Sequence, residues 1–373
     1  MKIAYLSRGN SVYDRRFLEK MVERGHEPYF ISYYPCERVA VNGVKSFHFD
    51  YTSMHYFRRF LSLQTALHLK KLLNQIQPDV LHTGWVQDHG FIGALSGFRP
   101  TLSMPFGSDI LINPDLSRSF RWITRFTLRR ADMITCDCEL VKNKIIELSG
   151  YPTEKIIVFP WGVDLNVFRP LNGTSRVRER LGWKDKKILI MTRSFAIPLY
   201  GHEYFINALP VILREVPDGR VILVGSGQLL DQYSARVIKM GLQDKVYFAG
   251  WVDEVQMSEY LNAADIYVTT SLSDGTSCSL LEAMACGLPV VVSDAPSYYE
   301  WVEDGINGFI VPRKNSDYLA ERLIQILADR SLRERMGKEN LKIAQKRADW
   351  GKNFDILEEI YKELTCRSKH SIQ

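Results

Sequence analysis

The chain has 373 residues, 46% of them hydrophobic and 24% charged, with a formal net charge of +5, long enough for two domains with full cores. This ordinary globular composition excludes a disordered, collagen-like or disulfide-stapled chain. No run approaches the ~18 apolar residues of a spanning helix and no secretory leader is read at the start, so a cytoplasmic location is expected.

The first half alternates strand and helix. "KIAYLS" reads as a strand, followed by a helix near Arg15–Arg24, the strand "EPYFISYY", and a long helix from about Phe57 to Gln75. Then come "DVLHTG", "RPTLSMPF", a basic helix near Ser117–Arg130 and "ADMITCD". The stretch "PWGVDLNVFRPLNGTSR" is rich in Pro, Gly and Asn and marks a joint. The expected domains are 1–165 and 175–349, joined by a linker at 166–174, with the closing helix 350–366 returning to the first domain. The second half repeats the habit: "KKILIMTRS", "GRVILVGSG" and "KVYFAGWV" are each followed by a helical segment. Such alternation predicts parallel sheets with helices on both faces and ligands at the carboxyl ends of the strands.

Charge is uneven. Residues 1–170 hold 22 Lys and Arg against 16 Asp and Glu, and the remainder 26 against 27, so the first half carries all the excess positive charge. An acidic or membrane-surface partner is implied for that half. The six cysteines (36, 136, 138, 278, 286 and 366) show no metal-ligand spacing and read as reduced core thiols.

The most informative stretch is "SLSDGTSCSLLEAMACGLPVVVSD", Ser271–Asp294. Strand signals flank it, and "SLLEAMACG" between them is built of helix formers ending at Gly287. Asp274, Gly275, Thr276 and Ser277 form a loop before the helix, with Ser277 or Ser279 as cap. A helix start offers unpaired amides and the positive end of the dipole, and its natural guest is a phosphate. Glu282, one turn in, reaches a hydroxyl on that guest, and Asp274 stands at the loop mouth. A solvated loop acid and a surface glutamate are the plain alternative.

With these residues in view, the chain resembles the retaining glycosyltransferases of family four, the glycosyl transferases group 1 type. The resemblance rests on Asp274 to Glu282 with "EAMACGLPVVVSD" after it, on "EWVEDGINGFIVP" and "GVDLNVFRP", and on "VERGHEPYFIS", "PDVLH" and "GSDIL" in the first half. It implies the α/β GT-B fold, two Rossmann-like domains with parallel sheets facing a central cleft. It also implies a nucleotide-diphosphate sugar, most often a UDP-sugar, as donor. Glu282 would hold the ribose hydroxyls, Asp274 would sit near the transferred sugar, and Cys278, Ser279 and Leu280 would offer amides to the diphosphate. Arg193 fits the family's phosphate arginine, Gly9 its N-terminal glycine contact, and Trp251 the place where the base is met. Trp251 has core packing as its alternative.

Retaining transfer in this fold proceeds on one face of the sugar, the leaving phosphate helping to deprotonate the acceptor. No protein nucleophile, metal or cofactor is then expected, and Arg193 and Asp274 carry the catalytic roles. The implied acceptor is a glycan or a lipid-linked sugar in cell-surface polysaccharide synthesis, with no nucleic-acid partner. A non-catalytic nucleotide-sugar binder and another enzyme of the fold, such as an epimerase, are the competing functions.

Several positions depart from the family. Asp274 is one methylene shorter than the usual Glu. The phosphate lysine is replaced in Tyr200-Gly201, leaving His202 or Arg8 as compensating cations. Phe106-Gly107 stands where a His-Gly pair is common. On the acceptor side, His82, Asp88 and His89 follow a strand and are placed facing the cleft, each with a structural role as the alternative, and Asp109 caps the turn of "GSDIL". Arg118, Arg121, Arg125 and Arg129 fall on one stripe of the basic helix, with Trp122 at its edge. Leu116, Phe120 and Ile123 are placed on the other side, against the sheet. An ordinary solvated face and an anionic membrane surface are the two readings of that stripe.

Overall fold

A computed structural model describes residues 1–9, 12–33, 40–49, 58–171, 173 and 175–370; Cys36 lies outside that set. The chain divides into two compact units, Met1–Phe159 with Phe354–Gln373, and Pro160–Asn353.

In the first unit seven strands form one parallel sheet: β1 (Lys2–Leu6), β2 (Glu27–Ser32), β3 (Lys45–His48), β4 (Val80–Gly84), β5 (Thr101–Met104), β6 (Met133–Cys136) and β7 (Ile156–Val158). Their order is β3-β2-β1-β4-β5-β6-β7. Ile3, Ala4, Tyr5 and Leu6 are all fully buried, as a parallel strand covered on both faces requires. The edge strands β3 and β7 went unread in the sequence: β3 is mostly exposed and has no apolar run, and β7 is only three residues long.

The second unit holds β8 (Lys187–Thr192), β9 (Gly219–Val224), β10 (Val246–Gly250), β11 (Ile266–Thr269), β12 (Val290–Ser293) and β13 (Gly308–Val311), again parallel, in the order β10-β9-β8-β11-β12-β13. Side chains alternate between two cores. Ile188 and Ile190 of β8 join one hydrophobic cluster, and Leu189 and Met191 join the other.

The joint differs from the expected linker at 166–174. The chain leaves the first unit after Phe159, and Val163 and Phe168 are buried in the core of the second. Ser258 Oγ donates to the Val167 carbonyl at 2.7 Å, and Leu171 N donates to Asn262 Oδ1 at 2.8 Å. Two phenylalanine and valine anchors thus override a Pro/Gly-rich composition. The closing helix, Trp350–His370, belongs to the first unit from Phe354 onward. There Asp355 pairs with Arg24 at 2.6 Å and Glu358 with His26 at 2.9 Å.

Each sheet has one place where the chain departs in opposite directions from neighbouring strands, β1/β4 in the first unit and β8/β11 in the second. Loops diverge at such points and leave a crevice at the carboxyl ends of the strands.

Candidate functional site

In the second unit Arg193 after β8 and the stretch Asp274–Glu282 after β11 lie together at the β8/β11 point, whereas Trp251 follows the edge strand β10. Ser277 caps the helix Cys278–Ala285, its side chain accepting from Leu280 N at 3.3 Å. Of the three amides assigned to a diphosphate, Leu280's is therefore engaged by the cap, and its side chain lies in the core. Ser277 Oγ is 3.1 Å from Ser279 Oγ, which is 2.8 Å from the Tyr267 hydroxyl. Thr276 Oγ1 accepts from Trp301 Nε1 at 3.3 Å, and Gly275 is buried beside it. Every residue of this helix is buried. Glu282 is only 8% exposed, so the surface-glutamate alternative does not hold.

Arg193 follows β8 directly. Its guanidinium pairs with Asp274, and its NH2 group donates to the Tyr298 hydroxyl at 3.2 Å. Tyr298 also donates to Asp274 Oδ2 at 3.2 Å and lies 3.2 Å from Thr269 Oγ1. The arginine side chain is 11% exposed and that of Asp274 19%. Burial works against the arginine's charge, but the neighbouring Tyr298, Tyr267 and Tyr200 outweigh it and the guanidinium is held more firmly charged than usual. Its Nε is buried with no hydrogen-bond partner among the described residues.

Tyr200, in the place of the family's lysine, lays its ring 4.9 Å from the Arg193 guanidinium. Gly201 adopts φ +69°, and a Cβ there would run into the Thr270 carbonyl, so the glycine is retained for close packing. His202 supplies no cation. It is buried against Phe195 with ring centroids 4.1 Å apart, and burial lowers its pKa to about 4, leaving it neutral. Trp251, just after β10, is 63% exposed, which removes the core alternative and leaves an open ring at a strand end.

In the first unit the expected residues part company. His82 is fully buried within β4, not on an accessible surface. Its Nδ1 is 2.6 Å from the Tyr361 hydroxyl of the closing helix, and burial lowers its pKa to about 3. His89 is also fully buried, stacked on Tyr33 at 5.1 Å, with a pKa lowered to about 4 by burial. The Gly9 amide donates to Asp14 Oδ2 at 3.0 Å, so that N–H serves the turn after β1. Asp88 remains accessible. Its Oδ2 accepts from Arg8 Nε at 3.1 Å, and the Arg8 guanidinium sits 4.4 Å over the Trp85 ring. Trp85 has φ +48°, a left-handed conformation rare for a bulky residue. Phe106 packs where a Cβ at Gly84 would be 2.6 Å from its ring.

Asp109 is a buried staple. Its two oxygens accept from Val86 N at 3.0 Å and Phe106 N at 2.9 Å, tying the loop after β4 to the loop after β5. Burial raises its pKa to about 6, against the opposing pull of these backbone bonds. A raised carboxyl pKa means the folded state holds the proton more tightly. The associated stability is present below the unfolded value near 4 and is lost as pH rises through about 6. Asp109→Asn is therefore expected to gain on the wild type by on the order of 2–3 kcal/mol between pH 4 and pH 7. Urea unfolding curves across that range measure it, and a difference independent of pH would refute it.

The arginine stripe is only partly solvated. Arg125 Nε donates to the Leu148 carbonyl at 2.6 Å and Arg129 Nε to the Ser149 carbonyl at 2.8 Å, closing the end of the helix Glu139–Ser149. Arg121 pairs with Asp115. Leu116, expected against the sheet, is 65% exposed, because it falls in a separate short turn before the basic helix starts at Arg118.

Cys136, Cys138, Cys278 and Cys286 are buried, whereas Cys366 is exposed. Among the described residues no group of three or more His, Cys, Asp or Glu is placed to hold a metal, and no helix is long and apolar enough to cross a membrane. Tyr298 is the residue that sequence reasoning missed: it lies 24 positions after Asp274, and no local pattern ties it to Arg193, Asp274 and Thr269.

Comparison with known proteins divides the chain between 167 and 174, around the expected linker and not at the structural break after Phe159. The family model described as Glycosyltransferase Family 4 matches residues 8–167, and that described as Glycosyl transferases group 1 matches residues 174–343. The chain is similar to an uncharacterized glycosyltransferase of Methanocaldococcus jannaschii, 26% identical over 346 residues covering 87% of each chain. It is 25% identical, over 279 residues and 71% of each chain, to the GDP-mannose-dependent alpha-(1-6)-phosphatidylinositol monomannoside mannosyltransferase of Mycolicibacterium smegmatis. Anabaena HepE, solved in complex with UDP and glucose, superposes with a TM-score of 0.81 at 20% identity, over 98% of this chain and 100% of that one.

Proposed function

Because the chain belongs to the glycosyltransferases of family four and has their GT-B fold, with matches across both halves, we propose that it is a retaining enzyme that moves a sugar from a nucleotide-diphosphate donor to a glycan or lipid-linked acceptor. The observation that carries this reading is the buried Arg193 guanidinium at the β8/β11 point, paired with Asp274 and keeping Nε without a partner among the described residues. A buried donor of this kind requires an explanation, and a departing diphosphate is the anion that this guanidinium would meet.

In the reaction the bond from the sugar's anomeric carbon to the phosphate oxygen breaks. The acceptor oxygen bonds to the same face of that carbon, and its proton passes to the leaving phosphate. Arg193 and the start of the helix Cys278–Ala285 stabilise the charge that develops. Asp274 orients the guanidinium and meets the sugar, while Glu282 takes the ribose hydroxyls. The reading assigns the stabilisation to these groups without a metal or other cofactor. A uridine base is preferred: HepE was solved with UDP and glucose, although the mycobacterial relative is GDP-mannose-dependent. Work at the cytoplasmic face of a membrane, on a lipid-borne or nascent glycan, fits the basic first unit.

The test is a thermal-shift screen over UDP, GDP and their sugars. A true donor at a hundredfold excess over Kd adds about 2.7 kcal/mol of stability, and NMR of the product then gives the anomeric configuration. Stabilisation by none of them would overturn the proposal; an inverted product would overturn the retaining assignment.

A further inference from the structure

We infer that the outward face of the helix Arg118–Arg130, together with Leu116, docks on an anionic lipid surface. The inference rests on the proposed function only in placing the first unit where a membrane-borne acceptor would lie. Trp122 is 59% exposed and Leu116 65%, although both are large and apolar. Trp122 is held at the surface: it stacks on Phe126, ring centroids 5.4 Å apart and planes at 19°, and meets Phe91 at 6.3 Å. The buried side of the helix is instead Thr124, Thr127 and Leu128.

Helical spacing puts Arg118, Arg125 and Arg129 along one flank of this aromatic pair. Arg130, on the other flank, has its guanidinium 5.3 Å from the Phe126 ring. Arg125 and Arg129 each spend their Nε–H on a carbonyl, which fixes guanidinium groups that have five N–H donors apiece. The nearby acid Asp115 is already paired with Arg121.

The stripe ends at a cavity of about 430 Å³ that shares Arg129 and is also lined by Arg99, Asp132, Tyr151 and Lys155. Its acid, Asp132, is paired with Arg99. A headgroup phosphate meets this charge set. An aromatic ring with arginines on both flanks matches the layering of a bilayer interface, where rings sit at headgroup depth and cations at the phosphates. That layering favours a lipid surface over an acidic protein.

The experiment is co-sedimentation with vesicles of phosphatidylglycerol and phosphatidylcholine, against phosphatidylcholine alone. The variant combines Trp122→Ser, Arg118→Gln and Arg130→Gln. It leaves Arg125 and Arg129 in place, since they hold the carbonyls of Leu148 and Ser149. Wild type is expected in the pellet with the anionic vesicles at low salt and in the supernatant with neutral ones. One molar salt should release it, because the Debye length shrinks to about 3 Å. The variant should bind at least about twenty-fivefold more weakly, each of the two lost arginines accounting for about fivefold.

Wild type that stays in the supernatant with anionic vesicles overturns the inference, as does a folded variant that pellets like wild type. The nucleotide thermal shift is run on both proteins. A nucleotide shift without vesicle binding defeats this inference alone, and vesicle binding without any nucleotide shift defeats the proposed function alone.

Discussion

Replacing Arg193 with alanine is expected to cut turnover by about a hundredfold or more while changing donor affinity far less. The intact donor spreads its charge over a diphosphate that also meets the helix start. The departing diphosphate gains charge at the moment the sugar leaves, and Arg193 is the buried cation at the β8/β11 point. Tyr298, Asp274 and the Tyr200 ring hold the guanidinium in place, so little reorganisation is needed. Arg193→Lys keeps a charge but lacks the planar fork that spans Tyr298 and Asp274, and should recover only part of the loss. Steady-state kinetics on the donor found by thermal shift decide the matter. Near-normal kcat in the alanine variant would remove Arg193 from this role, and the buried neutral His202 could not be its replacement.

Glu282→Gln is expected to weaken nucleotide binding by about 1.5–3 kcal/mol, the range for a hydrogen bond to a charged group. The amide is nearly isosteric with the carboxylate, and the helix around it is packed on all sides, so the fold should persist. A carboxylate accepts from both hydroxyls of a ribose, whereas the amide presents one oxygen and one donor. Calorimetry gives the affinity and a melting curve confirms folding. Unchanged affinity in a folded variant would place the ribose elsewhere.

The placement of the loop and helix proposed to take the donor was more legible in the sequence than that of the residues proposed for the acceptor, for a physical reason. Asp274, Ser277 and Glu282 lie within nine consecutive residues of one strand–loop–helix unit, and local rules of capping and periodicity place them without knowledge of the rest of the chain. His82, Asp88, His89 and Asp109 come from separate elements. Whether a strand-end histidine faces solvent or core depends on what packs over it. For His82 that is Tyr361, 279 positions later in the chain.

The alternation of strands and helices, the two-domain plan and the acid-bearing loop before the helix Cys278–Ala285 follow from the sequence by itself, because hydrophobic period and turn chemistry are local properties. Tertiary structure alone decided the rest. It joined Arg193, Tyr298 and Asp274 across three strands, neutralised His82, His89 and His202 by burial, and turned Asp109 into a staple. It set Arg125 and Arg129 on the carbonyls at the end of a neighbouring helix and left Trp122 outside. Each of these outcomes depends on desolvation and on contacts between residues distant in the chain, and no window of neighbouring residues contains that information.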